Sequence, residues 1–299
     1  MTDTLARRGR LAPTPTGLLH VGHARTFALA AARAGTDLVL RIEDLDAARC
    51  REEFVAASLD DLRWLGLTWT EGPDTGGPHA PYRQSQRGAW YLDVWRRLEA
   101  TGAIYPSPHS RRDVEEASLA PHEAPASGAA TGVAAGGPAD DAEAIFPPHL
   151  RPTRWDRATT PGGVPWRFRV PDGRTIEFHD SLCGTVRRTA GVDFGDFVVW
   201  RRDDLAAYEL AVVADDRAME IDEVVRGADL LTSTARQLLL YEALGWRPPA
   251  FCHAPLVCDA FGRRLAKRTG GLSIRDVRAR GHTPHDVLSL PLAALTPQA

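Results

Sequence analysis

Arg10-Leu11-Ala12-Pro13-Thr14-Pro15-Thr16-Gly17, then Leu18-Leu19 and His20-Val21-Gly22-His23, is the stretch from which the fold is read. Pro13, Pro15 and Gly17 form a tight loop that no regular element can run through. Beyond it, the apolar run from Phe27 to Ala34 with its alanines reads as a helix that Gly35 ends. A helix start delivered by such a loop aims backbone N–H groups and a positive dipole end at an anion. His20 and His23 stand at that start. Near the other end of the chain, Gly262 leads a basic loop containing Arg264, Lys267 and Arg268, able to bring cations to the same anion. Splitting ATP between its α- and β-phosphates needs donors for the departing pyrophosphate, and these two stretches supply that type of group.

Outward from this loop, strand, turn signal and helix keep alternating. Leu38-Val39-Leu40-Arg41-Ile42 reads as a short buried strand, residues 51–65 as an amphipathic helix on Phe54, Leu59, Leu62 and Leu65, and residues 87–101 as another on Tyr91, Val94, Trp95 and Leu98. The alternation predicts a parallel sheet with helices on both faces. Residues 118–144 turn Ala/Gly/Pro-rich without an aromatic, as expected of a flexible insertion. Trp166–Val170, the turn Pro171-Asp172-Gly173-Arg174 and Thr175–Phe178 read as a hairpin. Residues 194–226 look sheet-like, and 232–245 reads as a helix closed by Gly245.

With 299 residues, 43% hydrophobic and 25% charged, the chain is long enough for a sizeable core and ordinary for a soluble globular protein. No apolar run is long enough to span a bilayer, and no apolar segment follows the N-terminal charges, so no membrane anchor or secretory signal is expected and the cytoplasm is the expected place. Cys50, Cys183, Cys252 and Cys258 make no CxxC pair and are read as reduced thiols. A net charge of −3 speaks against non-specific coating of nucleic acid but leaves room for a directed RNA contact through local clusters.

Further blocks complete the pattern, in order: Leu40-Arg41-Ile42-Glu43-Asp44, Trp69-Thr70-Glu71-Gly72-Pro73, Tyr82-Arg83-Gln84-Ser85-Gln86-Arg87, Asp193–Val199, Tyr208, Val213-Ala214-Asp215-Asp216 and Val224–Asp229. Together with the His20–His23 and Gly262–Arg268 stretches, the blocks resemble the catalytic half of the class I glutamyl-tRNA synthetases over roughly residues 10–270. The resemblance implies a Rossmann-type catalytic domain, α/β in class, with an inserted acceptor-binding-like subdomain. On that pattern, residues 1–104 form the first half of the Rossmann domain and 105–192 the insertion. Residues 193–245 form the second half, and 246–299 the lysine-loop region with a short tail. Only about thirty residues follow Arg268, fewer than an anticodon-reading domain needs. The chain is therefore similar in length to the truncated glutamyl-Q tRNA(Asp) synthetase branch.

The resemblance further implies ATP and Mg²⁺, L-glutamate as substrate, queuosine-containing tRNA(Asp) as acceptor, and a monomer. His20, His23 and Lys267 take the catalytic roles. Pro13, Gly22, Gly227, Asp229 and Arg264, again with Lys267, would hold ATP. Arg10, Ala12, Thr14, Glu43, Tyr208 and Arg226 would hold glutamate: the two arginines clamp its carboxylates, Glu43 meets its ammonium. Relatives in this branch often hold zinc, but the corresponding positions are Ser107, His109, Phe146 and Leu150, so no zinc site is expected. In the lysine loop, Ala266 replaces a usual serine. Taken singly, the histidines would cap a helix, Arg226 would satisfy a helix end and Tyr208 would be core. Two other functions stay open on the sequence: transfer of activated glutamate to another tRNA, a small molecule or a carrier protein, or a non-catalytic RNA-binding paralogue.

Overall fold

Gly9, Arg10 and Leu11 are buried together, as a strand covered on both faces must be. In the computed structural model, which describes residues 7–119, 144–257, 272–290 and Leu295, these three form β1 (Gly9–Leu11). It is followed by α1 (Val21–Ala34), β2 (Leu38–Leu40), α2 (Glu52–Trp64), α3 (Gly88–Thr101), β3 (Ile104–Pro106) and α4 (Arg111–Leu119). Then come β4 (Trp166–Phe168), β5 (Thr175–Asp180), β6 (Gly184–Thr189), β7 (Phe197–Trp200) and α5 (Tyr208–Ala218). The rest is β8 (Glu223–Gly227), α6 (Leu231–Ala243), β9 (Ala250–Ala254), α7 (Ile274–Ala279) and α8 (Pro284–Ser289).

β1 pairs in parallel with β2, and β8 with β9. The Arg8 carbonyl accepts from the N–H groups of Asp222 and Glu223 at 2.8 and 3.2 Å, which brings β8 alongside β1. Gly9 allows α1 to press on this layer, since a Cβ there would stand 2.7 Å from Ala34 Cβ. One core gathers Trp95, Trp166, Trp200 and Leu210; another joins Leu11, Val21 and Leu40 to Ile274, Val277, Val287 and Leu295. The C-terminal helices therefore buttress α1. No helix among the described residues is long and apolar enough to cross a membrane.

Three expectations need correction. The predicted hairpin is absent: the turn exists, with Arg174 N–H donating to the Pro171 carbonyl, but β4 pairs antiparallel with β3 and β7 while β5 pairs with β6 over its whole length. The Arg169 N–H donates to the Ala103 carbonyl and that of Val170 to Asp196 Oδ1, so β4 is drawn away before the turn. Residues 194–226 are not all sheet-like, because α5 lies in their middle. Every residue from Glu209 to Asp216 is buried, so this helix has no polar face to betray its period. Nor is the sheet wholly parallel: β6 runs antiparallel to β5, and β3-β4-β7 is antiparallel throughout. The division at residues 104 and 192 stays a proposal about organisation; β5 and β6 lie within the expected insertion yet share a sheet with β8 and β9. Of the expected flexible insertion, residues 120–143 lie outside the described residues.

Asp61 on α2 offers a stability test. Its side chain is wholly buried, neither oxygen has a hydrogen-bond partner, and Arg275 Nε stands 3.7 Å away. Burial pushes its pKa up to about 6, against the partial help of Arg275. A carboxyl that binds its proton more tightly folded than unfolded costs stability fully above about pH 6 and regains it as the pH falls toward the ordinary value. Asp61→Asn is expected to raise unfolding free energy by about 1 kcal/mol near pH 8, with the difference vanishing below about pH 4. Urea denaturation at the two pH values measures it.

Candidate active site

His20 takes the N-cap position of α1, extended at φ −107° and ψ 166°. Its Nδ1 accepts the Gly22 N–H at 3.1 Å, while His23 Nδ1 accepts the His20 N–H at 3.4 Å. This is a capping box built from imidazoles instead of a hydroxyl and a carboxylate. The two rings stack at 3.6 Å. Because each Nδ1 accepts a backbone N–H, each ring must carry its proton on Nε2. Two N–H donors are thereby preset at the positive end of a helix. Gly22 leaves room for this fold-back: a Cβ there would lie 3.0 Å from His20 Cε1, so the ring would have to give by a few tenths of an ångström.

The histidines, Gly22, Arg10, Ala12, Thr14, Glu43, Tyr208, Arg226, Gly227 and Asp229 all line one cavity of about 300 Å³. Arg10 is buried on β1, donates from Nη1 to the Val225 carbonyl at 2.9 Å and lies 3.5 Å from Asp216. Burial lowers its pKa in spite of Asp216, and the neighbouring guanidinium groups of Arg41 and Arg226 add to the lowering. Glu43 accepts from Arg41 at 3.0 Å; burial raises its pKa against the pull of Arg41 and Arg10. Arg226, 5% exposed on β8, donates to His253 Nε2 (3.3 Å), Thr234 Oγ1 (2.7 Å) and Gln237 Oε1 (2.8 Å). Its Nη1 has no hydrogen-bond partner, and no described carboxylate forms an ion pair with it. A buried guanidinium left with only neutral partners favours an incoming anion. Tyr208, the first residue of α5, opens into the cavity; crowding by protein pushes its pKa up to about 12, so it stays a neutral hydroxyl.

The placement of other predicted residues differs in detail. Pro13 is buried and does not line the cavity; its carbonyl accepts the Glu43 N–H at 3.0 Å and so holds that carboxylate in place. Gly227 lines the cavity as well, and a side chain there would crowd the site from within, since a Cβ would meet Asp229 Oδ1 at 2.4 Å. Lys267 and Arg264 lie outside the described residues. The flanking residues on both sides are at the site, since Pro255, Leu256 and Val257 line the cavity and Ser273 bridges His20. The sequence assigns no role to Arg41 or Asp216, although Arg41 sits between Leu40 and Ile42 and the pair Asp215-Asp216 directly follows the apolar run Leu210–Ala214. A charge inside an apolar run is the signal that was available.

At the positions considered for zinc, Tyr105 and Phe146 are buried together with Val114, and Arg167 stands over the Phe146 ring at 4.6 Å. Ser107, Phe146 and Leu150 offer neither thiolate nor imidazole, so these residues do not fit zinc. Among the described residues no group of three or more His, Cys, Asp or Glu side chains is placed to hold a metal ion.

Comparison with known proteins gives a consistent result. Residues 7–293 match the family described as tRNA synthetases class I (E and Q), catalytic domain. The chain is 46% identical over 284 residues to a glutamyl-Q tRNA(Asp) synthetase of Symbiobacterium thermophilum, covering 94% of this chain and 84% of that one. It is 44% identical over 281 residues to a protein of the same name from Nitratidesulfovibrio vulgaris, covering 92% and 82%. In three dimensions it resembles a glutamate tRNA ligase from Elizabethkingia meningosepticum, crystallised in complex with its amino acid. The TM-score is 0.74 at 26% identity, over 96% of this chain and 61% of that one. The chain thus spans less than two thirds of that solved protein.

Proposed function

The chain belongs to the class I tRNA synthetases for glutamate and glutamine, and from that membership we propose that it activates L-glutamate with ATP and transfers it to queuosine in the anticodon of tRNA(Asp). The names of the relatives at 46% and 44% identity support the acceptor. One observation carries the amino acid: two buried guanidinium groups, Arg10 and Arg226, and one buried carboxylate, Glu43, line the same cavity as the histidine-capped start of α1. Glutamate presents the complementary set, two carboxylates and an ammonium. Arg226 receives one carboxylate on its unpartnered Nη1 and Arg10 the other, while Glu43 takes the ammonium. Thr14 and Tyr208 add hydroxyl contacts, and Ala12 contributes its backbone.

The glutamate carboxylate oxygen attacks the α-phosphorus of ATP, the bond to the β-phosphate oxygen breaks, and pyrophosphate leaves. His20 and His23 donate from Nε2 to the developing charge, aided by the α1 dipole. Lys267 and Arg264 are assigned to the triphosphate, Asp229 to a ribose hydroxyl. Family members use ATP with Mg²⁺, which rides on the phosphates. A queuosine hydroxyl then attacks the acyl carbon and releases AMP. No enzyme nucleophile is needed, because positioning supplies the acceleration. We further propose a monomer that works in the cytoplasm, where tRNA(Asp) is.

The test has two parts: ATP–pyrophosphate exchange driven by glutamate without RNA, then glutamylation of queuosine-containing against unmodified tRNA(Asp). Exchange without charging of the modified tRNA would move the acceptor elsewhere; absence of exchange would remove the enzyme reading altogether. A finer expectation concerns Gly22→Ala. Alanine suits the helix, but its Cβ displaces the His20 ring, so kcat for exchange should fall about tenfold while the melting temperature barely changes.

A further inference from the structure

Arg226 is held by a buried chain of polar groups that the mechanism above does not use. Its register partner on β9 is His253, which is fully buried. His253 Nδ1 lies 2.7 Å from Asp180 Oδ2, at the end of β5. Asp180 is itself fully buried and also accepts the backbone N–H groups of Leu182, Cys183 and His253 at 2.8–3.2 Å. With every donor aimed at its oxygens, Asp180 is an acceptor only, so the proton between it and the ring sits on Nδ1. Nε2 is then left with its lone pair, which faces the Arg226 Nε–H at 3.3 Å and the Thr234 hydroxyl at 2.9 Å, whose single proton is shared between Nε2 and the Leu230 carbonyl at 3.2 Å. The opposite tautomer would set N–H against N–H. Burial and the adjacent Arg226 lower the His253 pKa, which keeps the ring neutral and the lone pair available.

We propose that Asp180 and His253 are positioning residues for substrate: by fixing the imidazole tautomer they lock the Arg226 fork so that Nη1 points at the carboxylate of the incoming amino acid. Arginine has rotamer freedom that a point contact would not remove. Here Nε is tied to His253 and Nη2 to Thr234 and Gln237, which leaves Nη1 as the nitrogen without a partner. Gln237 is fixed in turn, donating to Glu209 at 2.8 Å. The guanidinium plane is therefore set by groups that do not themselves line the cavity. The arrangement parallels the way a carboxylate orients a metal-binding histidine, with an arginine in place of the metal.

The inference rests on the glutamate-activating reading, and the experiment separates the two. Wild type, His253→Leu and His253→Gln are compared in glutamate-dependent ATP–pyrophosphate exchange, with the fold of each followed by circular dichroism. Leu removes the acceptor; the Gln amide oxygen can return one near the Nε2 position. His253→Leu is expected to raise KM for glutamate about tenfold or more while KM for ATP changes by less than about twofold, and His253→Gln to recover much of the loss. A general loss of structure would move both constants together and would overturn the proposal, as would an unchanged glutamate KM in His253→Leu. Nitrogen-15 NMR of the wild-type imidazole is the second readout and needs no variant to fold. An Nδ1–H tautomer with unprotonated Nε2 is expected, and an Nε2–H tautomer sinks the idea. Failure of the wild type itself to exchange would instead count against the glutamate reading.

Discussion

Arg226→Ala is expected to lower kcat/KM for glutamate in pyrophosphate exchange by two to three orders of magnitude, roughly the 2–5 kcal/mol that a desolvated charge contact is worth when one partner is removed. Most of the loss should appear in KM for glutamate, because in the proposed function Arg226 holds the amino acid before any bond changes. ATP binding should be little affected, since the histidine-capped end of α1 does not depend on this side chain. Arg226→Lys should rescue poorly. Lysine restores the charge but not the planar fork, and one ammonium cannot serve His253, Thr234, Gln237 and a ligand together. Exchange kinetics at varied glutamate and at varied ATP decide the matter. A KM for glutamate within about threefold of wild type would place the carboxylate elsewhere.

Arg41→Met is expected to destabilise the protein by about 3–5 kcal/mol, the usual cost of stranding a buried carboxylate. Arg41 is wholly buried and sits 2.6 Å from Asp216, 3.0 Å from Glu43 and 3.7 Å from Asp215. Asp215 would keep Arg87 at 2.6 Å, but among the described residues Asp216 would retain only Arg10, at 3.5 Å. Arg10 should then turn toward Asp216 and leave the cavity. The variant is expected to bind glutamate more weakly as well as to unfold at lower urea concentration. The double variant Arg41→Met/Asp216→Leu removes one of the stranded charges, Glu43 being the other, and should regain part of the stability, without regaining glutamate affinity. Denaturation midpoints for the single and double variants measure this. A loss below about 1 kcal/mol in the single variant would mean that water reaches these carboxylates.

Much of the site was legible in the residues themselves. The start of α1 follows from Pro13, Pro15, Gly17 and the apolar run after them, because loop, cap and helix preferences act over a few positions. Ala12, Thr14, Glu43, Tyr208, Arg226 and Asp229 came from blocks that resemble a known family, and all of them line the cavity. Where the reading failed, the decisive neighbour was distant. Strand β4 pairs with β3 and β7 instead of its neighbour in sequence, and α5 shows no helical period because it is buried on every side from Glu209 to Asp216.

The amino-acid order alone therefore settled where the histidine-capped helix begins, which imidazoles stand on it and which short blocks follow. Those are local matters of dihedral preference and capping. Only the folded chain decided which charges lose their solvent and who answers them. Arg41 finds Asp216 across 175 positions, and Arg226 is surrounded by neutral acceptors with one nitrogen unpaired. Desolvation multiplies the strength of such pairings and the cost of leaving one unmade, and it depends on what packs around a group rather than on its neighbours in sequence.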